Sequence, residues 1–398
     1  MTGSRAPVTP GGADGTHRRR RDRDARIAAR RVRMTILDLE VTMTGTVRVG
    51  SRNRWPLLAG VLAVAGVAAC GASGSDDGTL AMKGSRPDDV SPLFQPIPPT
   101  AEHPEDNPGT PEKIDLGHKL FFEPKLSRSG IISCNTCHVV GAGGVDARQV
   151  AIGEGARTGP RNSPTVFNAA FLASQFWDGR APTLEEQAKG PIQAHVEMDL
   201  TPEEAVERLR EVGYEPLFAE AFPDEEDPLT FDNIAKAIAA FERTLITPGS
   251  PFDRYLAGET DALTPRQKEG LQIFQSAGCI SCHHGVLLGG QGYAAFTHVE
   301  GADDIGRAAV TGREEDRYVF RIAPLRNVAL TAPYFHDGSA ATLHDAVSIM
   351  GWVQLKRRFT PEEVDAVVAF LESLTGEFPV VAHPQLPRAL PQPTASND

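Results

Sequence analysis

Apolar residues recur at helical spacing in two places. Ile234, Ala237, Ile238, Phe241 and Leu245 share one face, as do Val364, Val367, Val368 and Leu371, and each face predicts a helix packed on a core. Two shorter amphipathic stretches, Gly117-His-Lys-Leu-Phe-Phe and Gly270-Leu-Gln-Ile-Phe, form a faint internal repeat. Helix starts are marked three times by a Thr-Pro-x-Glu/Gln signature, at Thr201, Thr264 and Thr360. Thr is the N-cap, Pro fits the first helical position, and Glu or Gln three residues on reaches back to the cap. Strand patterns are sparse. The expected fold is mainly α, with two helical domains in tandem. Pro379, Pro384, Pro387, Pro391 and Pro393 exclude a helix or central strand at the end of the chain. That segment should lie across the surface without regular structure.

The apolar run from Leu57 to Ala69 is of another kind. It follows Arg48, Arg52 and Arg54, ends in small residues, and is shorter than the roughly 20 residues of a membrane span. Those are the features of an export signal. Val67-Ala-Ala-Cys70 looks like a bacterial lipobox, which makes Cys70 a lipidation site; the alternative is an ordinary signal peptide with Cys70 incidental. The Arg-rich residues before Arg48 then have no folding role, and translation is expected to start nearer Met43. The expected organisation is a leader and signal over residues 1–70, a flexible tether over 71–110, domains over 111–250 and 251–376, and a Pro-rich tail over 377–398. Up to Ala69 the chain holds 13 of its 40 basic and 5 of its 52 acidic side chains, so the remainder has a net charge of −20. Such a surface repels nucleic acid and steers basic partners toward it.

Four of the five cysteines sit in two Cys-x-x-Cys-His units, Cys134-Asn-Thr-Cys137-His138 and Cys279-Ile-Ser-Cys282-His283. That spacing is the attachment site of a c-type haem: two thiols hold the porphyrin, and the adjacent His lies under the iron. Zinc would need four ligands in one site, and these units lie a domain's length apart. A redox dithiol has no need of a His as fifth residue. Two covalent haems are expected, one in each domain.

Beyond these units come Gly159-Pro-Arg-Asn-Ser-Pro-Thr-Val-Phe-Asn168, Gln175-Phe-Trp-Asp-Gly-Arg180, Gln187-Ala-Lys-Gly-Pro-Ile192, Val196-Glu-Met198 and Pro324-Leu-Arg-Asn-Val-Ala-Leu-Thr-Ala-Pro-Tyr-Phe-His336. In this order, from about Asp115 to Gly376, the chain resembles the bacterial di-haem cytochrome c peroxidases. The resemblance implies two cytochrome c-like domains with an interdomain calcium site. It makes the N-terminal haem peroxidatic, and gives the C-terminal haem the task of receiving electrons from a small exported cytochrome c or cupredoxin. Met350 matches the sixth ligand of the C-terminal iron, a thioether that raises its potential. Glu197 matches the acid–base residue that moves a proton between the two oxygens of hydrogen peroxide. Gln187 matches the amide beside it. Trp177 matches a tryptophan between the haems, and Asn162, Thr331 and Pro333 match the oxygen ligands of calcium, an ion suited to hard donors. The same resemblance implies a homodimer, while the export signal places the protein in the periplasm, attached to a membrane only through a lipid on Cys70.

One position departs from the family pattern. Members carry a His between two glycines after the first haem unit, and it caps the peroxidatic iron at rest. Here Glu154 stands there, in Gly153-Glu154-Gly155, with no His between His138 and His195. Its carboxylate either approaches the iron or points to water. Two other classes compete. MauG-type di-haem enzymes, which oxidise a partner protein, also lack that His, but they carry Tyr at the position of Met350. A non-enzymatic di-haem carrier would need a strong sixth ligand for the first haem, and none is evident. The peroxidase reading is preferred.

Overall fold

A computed structural model describes residues 85–297 and 303–388. The leader, the export signal, Cys70, the start of the tether and the last ten residues fall outside the described residues. The two apolar faces noted in the sequence each become a helix crossing. Helix α1 (Pro111–Phe121) is followed by the single turn α2 (Cys134–Cys137), then α3 (Leu184–Gln193), α4 (Pro202–Glu211), α5 (Glu215–Ala221) and α6 (Phe231–Glu242). The C-terminal half contains α7 (Pro251–Leu256), α8 (Pro265–Ser276), a four-residue α9 (Ala308–Thr311), α10 (Leu343–Leu355) and α11 (Pro361–Glu372). Its only described sheet pairs β1 (Tyr293–Ala295) antiparallel with β2 (Val319–Arg321), Tyr293 facing Arg321. The expected Thr caps are in place: Thr201, Thr264 and Thr360 each close a capping box.

Two apolar cores result. Leu116, Leu120, Ile234, Ile238 and Phe241 belong to the first, and Phe252, Leu271, Phe274, Val367 and Phe370 to the second. The faint repeat in the sequence has a steric cause. A Cβ on Gly117 would lie 1.8 Å from the carbonyl oxygen of Ala237, and one on Gly270 would lie 1.8 Å from that of Ala366. In both halves a helix before the haem unit and a helix at the domain's end meet backbone to backbone, which only glycine permits. The described residues all belong to one compact unit, so the two cores share a continuous body.

The backbone carries a second repeat that has no plain counterpart in the hydrophobic pattern. Asn168 and Asn327 both adopt left-handed backbone at the start of a 3-10 turn. Phe176 and Phe335 have positive φ, isolated bridges join Gln175 to Ala181 and Tyr334 to Ala340, and Thr183 and Thr342 cap α3 and α10. All these pairs lie 159 residues apart, so the segment from Asn168 through α3 is built a second time from Asn327 through α10. The two asparagines even share a partner: both side-chain amides donate to Thr247 Oγ1, at 2.7 and 2.8 Å, in the linker between the halves.

The tether reading needs correction for residues 85–110. Their backbone is irregular, with turns, but Val90 and Phe94 are buried in the second core and Ile97 is buried as well, because the side chains between the polar residues are large and apolar. Arg326 and Asp253 hold this arm through Gln95 O and Ile97 N. The tail from 377 is irregular, and its Phe378 and Val381 pack against the first core.

Candidate functional site

Each haem unit sits in a short turn. Cys134–Cys137 is a single helical turn, and Cys279–Ser281 is a 3-10 turn directly after α8. Both turns place the His that follows them by a backbone bond, His138 N to Cys134 O and His283 N to Cys279 O. Each imidazole is then oriented by its second nitrogen. His138 Nδ1 donates to Pro164 O at 2.9 Å and His283 Nδ1 to Leu288 O at 3.1 Å. A neutral imidazole that donates from Nδ1 leaves the Nε2 lone pair free for a metal. Burial lowers the proton affinity of both, which keeps that lone pair available. None of the four cysteines is in a disulfide. Burial pushes the thiols of Cys137 and Cys279 up to about 11, the opposite of what a redox dithiol needs. Among the described residues no three of His, Cys, Asp and Glu come together as a metal cluster, so the two units do not share a zinc site.

The C-terminal unit opens onto an apolar cavity lined by Cys279, Cys282, His283 and Met350. Leu343, Ala346, Val347, Met350 and Gly351 of α10 all face it, which is the i, i+3, i+4, i+7 pattern of a single helix face. Trp177 lies in the same wall, clamped at both ends: its indole N–H donates to Asn162 O at 2.9 Å, and its own carbonyl accepts from Arg321 N at 2.7 Å. Asn162, Thr331 and Pro333 also line this cavity. The Asn162 amide nitrogen donates to Arg148 O and Gln149 O, which turns Oδ1 away from those carbonyls. The apolar wall with Cys279, Cys282, His283 and Met350 fits a covalent haem.

On the N-terminal side, Glu197 follows α3 and is half-buried. Burial raises its pKa, and the cation of Arg180 pulls it back. Arg180 is itself held in place, stacked 3.4 Å over the Phe176 ring and bonded to both oxygens of Asp178. Gln187 lies on α3, one turn after the Thr183 cap. Glu154 is buried and does not point to water. Its Oε1 accepts from Ser129 N at 2.9 Å and Ser129 Oγ at 2.6 Å, and although burial opposes ionisation these bonds lower its pKa overall. Its backbone N–H donates to Glu197 O at 2.8 Å, and Gly153 is packed against Val196 O too closely for any Cβ. The Glu154 loop thus braces the main chain of Glu197. His195 is exposed and faces Asp199.

Sequence reasoning missed Arg180, Arg321 and Pro191. The last is the counterpart of Met350 in the duplicated segment, and comparison of Gln175-Phe-Trp-Asp-Gly with Tyr334-Phe-His-Asp-Gly would have revealed it.

Two cytochrome-like halves, each with a Cys-x-x-Cys-His turn, define a di-haem c-type protein. The comparisons agree: the di-haem cytochrome c peroxidase pattern matches residues 111–261 and the cytochrome c pattern residues 267–375. The cytochrome c551 peroxidase of Pseudomonas aeruginosa is 52% identical over 316 residues, 77% of this chain and 91% of that protein. The methylamine utilization protein MauG of Methylorubrum extorquens is 38% identical, over 73% of this chain and 86% of its own length. A MauG-like protein associated with microbial copper homeostasis has a crystal structure that superposes with a TM-score of 0.65 at 31% identity, covering 74% of this chain and 96% of that one. The chain belongs to the di-haem cytochrome c peroxidase family, with MauG as a related branch.

Proposed function

We propose that the protein reduces hydrogen peroxide to water outside the cytoplasm, with electrons from a small redox protein. The observation that carries this reading is the asymmetry of the duplicated segment: Met350 stands where the N-terminal half has Pro191. One half offers a sixth ligand and the other, at the same position, offers none. That suits one iron closed for electron transfer and one open to peroxide. When bound, the haems supply one-electron chemistry and the position at which peroxide sits.

The protein's own groups do the rest. Glu197 takes a proton from one peroxide oxygen and returns it to the other as the O–O bond breaks, and two electrons and two protons complete two waters. Burial readies it for this by keeping its proton affinity above that of an ordinary carboxylate. Gln187 orients the peroxide, and Trp177 lies on the route between the halves. Asn162, Thr331 and Pro333 hold calcium beside it through oxygen donors. With its Oε1 bound by Ser129, Glu154 leaves the N-terminal iron uncapped, so the oxidised protein reacts without prior reduction. Met350 favours this function over that of the MauG branch. Among the described residues no helix is long and apolar enough to cross a membrane; the export signal and a lipid on Cys70 are parts of the same proposal.

The test is peroxide-dependent oxidation of a reduced c-type cytochrome, with EPR of the oxidised protein. Wild type should turn over and show a high-spin signal, and Glu197→Gln should lose about 10²–10⁴ in rate. Full activity in Glu197→Gln would remove that residue from the chemistry.

A further inference from the structure

Arg326 shows how this protein buries a guanidinium. It is 2% exposed, lies 2.7 Å from Asp253, and donates to Ser250 Oγ, Gln95 O and Val286 O. Arg321, 3% exposed, is treated differently. Its backbone N–H donates to Trp177 O at 2.7 Å and its Nε to Phe176 O at 3.1 Å, while its Nη1 is buried with no hydrogen-bond partner. Burial lowers its pKa to about 10, with only Tyr293 acting the other way, so it stays charged at neutral pH.

The other charged groups near the β1–β2 pair are already matched. Arg161 bonds Asp178 and Asp304, and Arg307 bonds Asp178 O and stacks on Tyr293. His336 stacks on Phe320. Arg321 lines the same cavity as Cys279, Cys282, His283 and Met350. A buried cation with a free N–H in a cavity wall needs an anion, and a planar guanidinium matches a carboxylate best.

We propose that Arg321 is the counter-ion of a propionate carboxylate of the C-terminal haem, and that it ties this haem's charge to the main chain of Phe176 and Trp177. The proposal rests on the assignment of this cavity to a haem. Neutralising a propionate favours the reduced iron, because one negative charge fewer acts on the added electron. Arg321 would therefore both anchor the cofactor and hold its potential up, on the strand that carries the bridge to the other half.

The experiment is a redox titration of the haem-loaded protein in which each haem is followed by its absorption spectrum. Arg321→Gln should lower the equilibrium constant for reducing the C-terminal haem about tenfold, which is about 59 mV for one electron, and leave the N-terminal haem unchanged. Arg321→Lys, which keeps the charge, should stay within about threefold of wild type. In wild type the C-terminal potential should be flat between about pH 5 and 7, because a paired propionate stays ionised. An unchanged C-terminal potential in loaded Arg321→Gln would overturn the proposal, as would equal shifts in both haems. So would a wild-type pH slope that persists in His336→Gln, an outcome that can be read even if Arg321→Gln fails to mature. Wild type carrying no haem on Cys279 and Cys282 would instead defeat the peroxidase reading itself.

Discussion

Gly270→Ala should destabilise the C-terminal half, although in an exposed helix the same change stabilises by about 1 kcal/mol. The new methyl would sit 1.8 Å from Ala366 O, 2.5 Å from its carbonyl carbon and 2.9 Å from Phe370 Cβ. Real Cβ contacts essentially never fall below 3.0 Å, so α8 and α11 must separate by about 1.2 Å. Neither neighbour is a flexible side-chain end, so the whole crossing has to move. The residues there, Leu271, Phe274, Val367 and Phe370, are all buried. Overpacking of this kind costs about 1–3 kcal/mol or more, and the upper end applies where backbone must shift. After the propensity gain the net loss is about 2 kcal/mol, roughly 4–8 °C in Tm. Thermal unfolding of the haem-loaded protein followed by circular dichroism measures it. Gly117→Ala should behave alike in the N-terminal half, where Ala237 O is equally close. A Tm unchanged or raised in Gly270→Ala would refute the claim that these glycines repeat for steric reasons.

Met350→His should keep the C-terminal haem six-coordinate but lower its potential, slowing donor oxidation about tenfold or more; a redox titration with neither haem altered would remove Met350 from the site. Glu185 is held at about 2 against an ordinary 4.5, because hydrogen bonds from Arg243 and Asn107 outweigh the opposing effect of burial. With its folded pKa depressed, its stabilisation is fully present above pH 4.5 and is lost as pH falls toward 2. Glu185→Gln should therefore cost about 3 kcal/mol at pH 7, and denaturant melts of wild type and variant should converge in acid. Pro191→Met should place a thioether at the counterpart of Met350, give a six-coordinate, low-spin N-terminal haem, and cut peroxide turnover more than tenfold (about 1.4 kcal/mol). EPR of the oxidised variant reads the spin state directly.

The haem units, the Thr caps and the two long apolar faces were legible in the sequence because each depends on residues close in the chain. What stayed hidden depends on distant neighbours. Val90 and Phe94 read as part of a polar, Pro-rich tether until the second core supplies the surface that buries them. Glu154 looked like a group facing either water or iron, because nothing local announces that Ser129, 25 residues earlier, takes its carboxylate. Arg321 sits in Val319-Phe-Arg-Ile, where period-two alternation would place it on a solvent face, yet it is turned into the cavity beside Trp177. Asn162 is reached only through resemblance, because the two carbonyls that fix its amide lie thirteen and fourteen residues away.

The duplicated frame also bears on the two roles proposed for the halves. At the equivalent positions of α10 and α3, Met350 is replaced by Pro191 and Ala346 by Gln187. At the helix crossings, Ala237 and Phe241 correspond to Ala366 and Phe370, so Glu242 takes the place of Leu371, which lines the C-terminal cavity. Glu242 is buried with Oε2 unpartnered, and burial pushes its pKa up to about 8. At Met350/Pro191, Ala346/Gln187 and Leu371/Glu242 the C-terminal half holds an apolar or ligating group and the N-terminal half a group that withholds a ligand or can carry a hydrogen bond. A carrier haem needs a closed iron and no proton traffic, so apolar walls suit it. Peroxide cleavage needs an open iron, a carboxylate that can move a proton and an amide that can hold a hydrogen bond, and in the proposed function Glu197 and Gln187 supply the last two in the half that has no thioether. In the proposed function the division of labour follows from a small set of substitutions at matched positions of a repeated backbone.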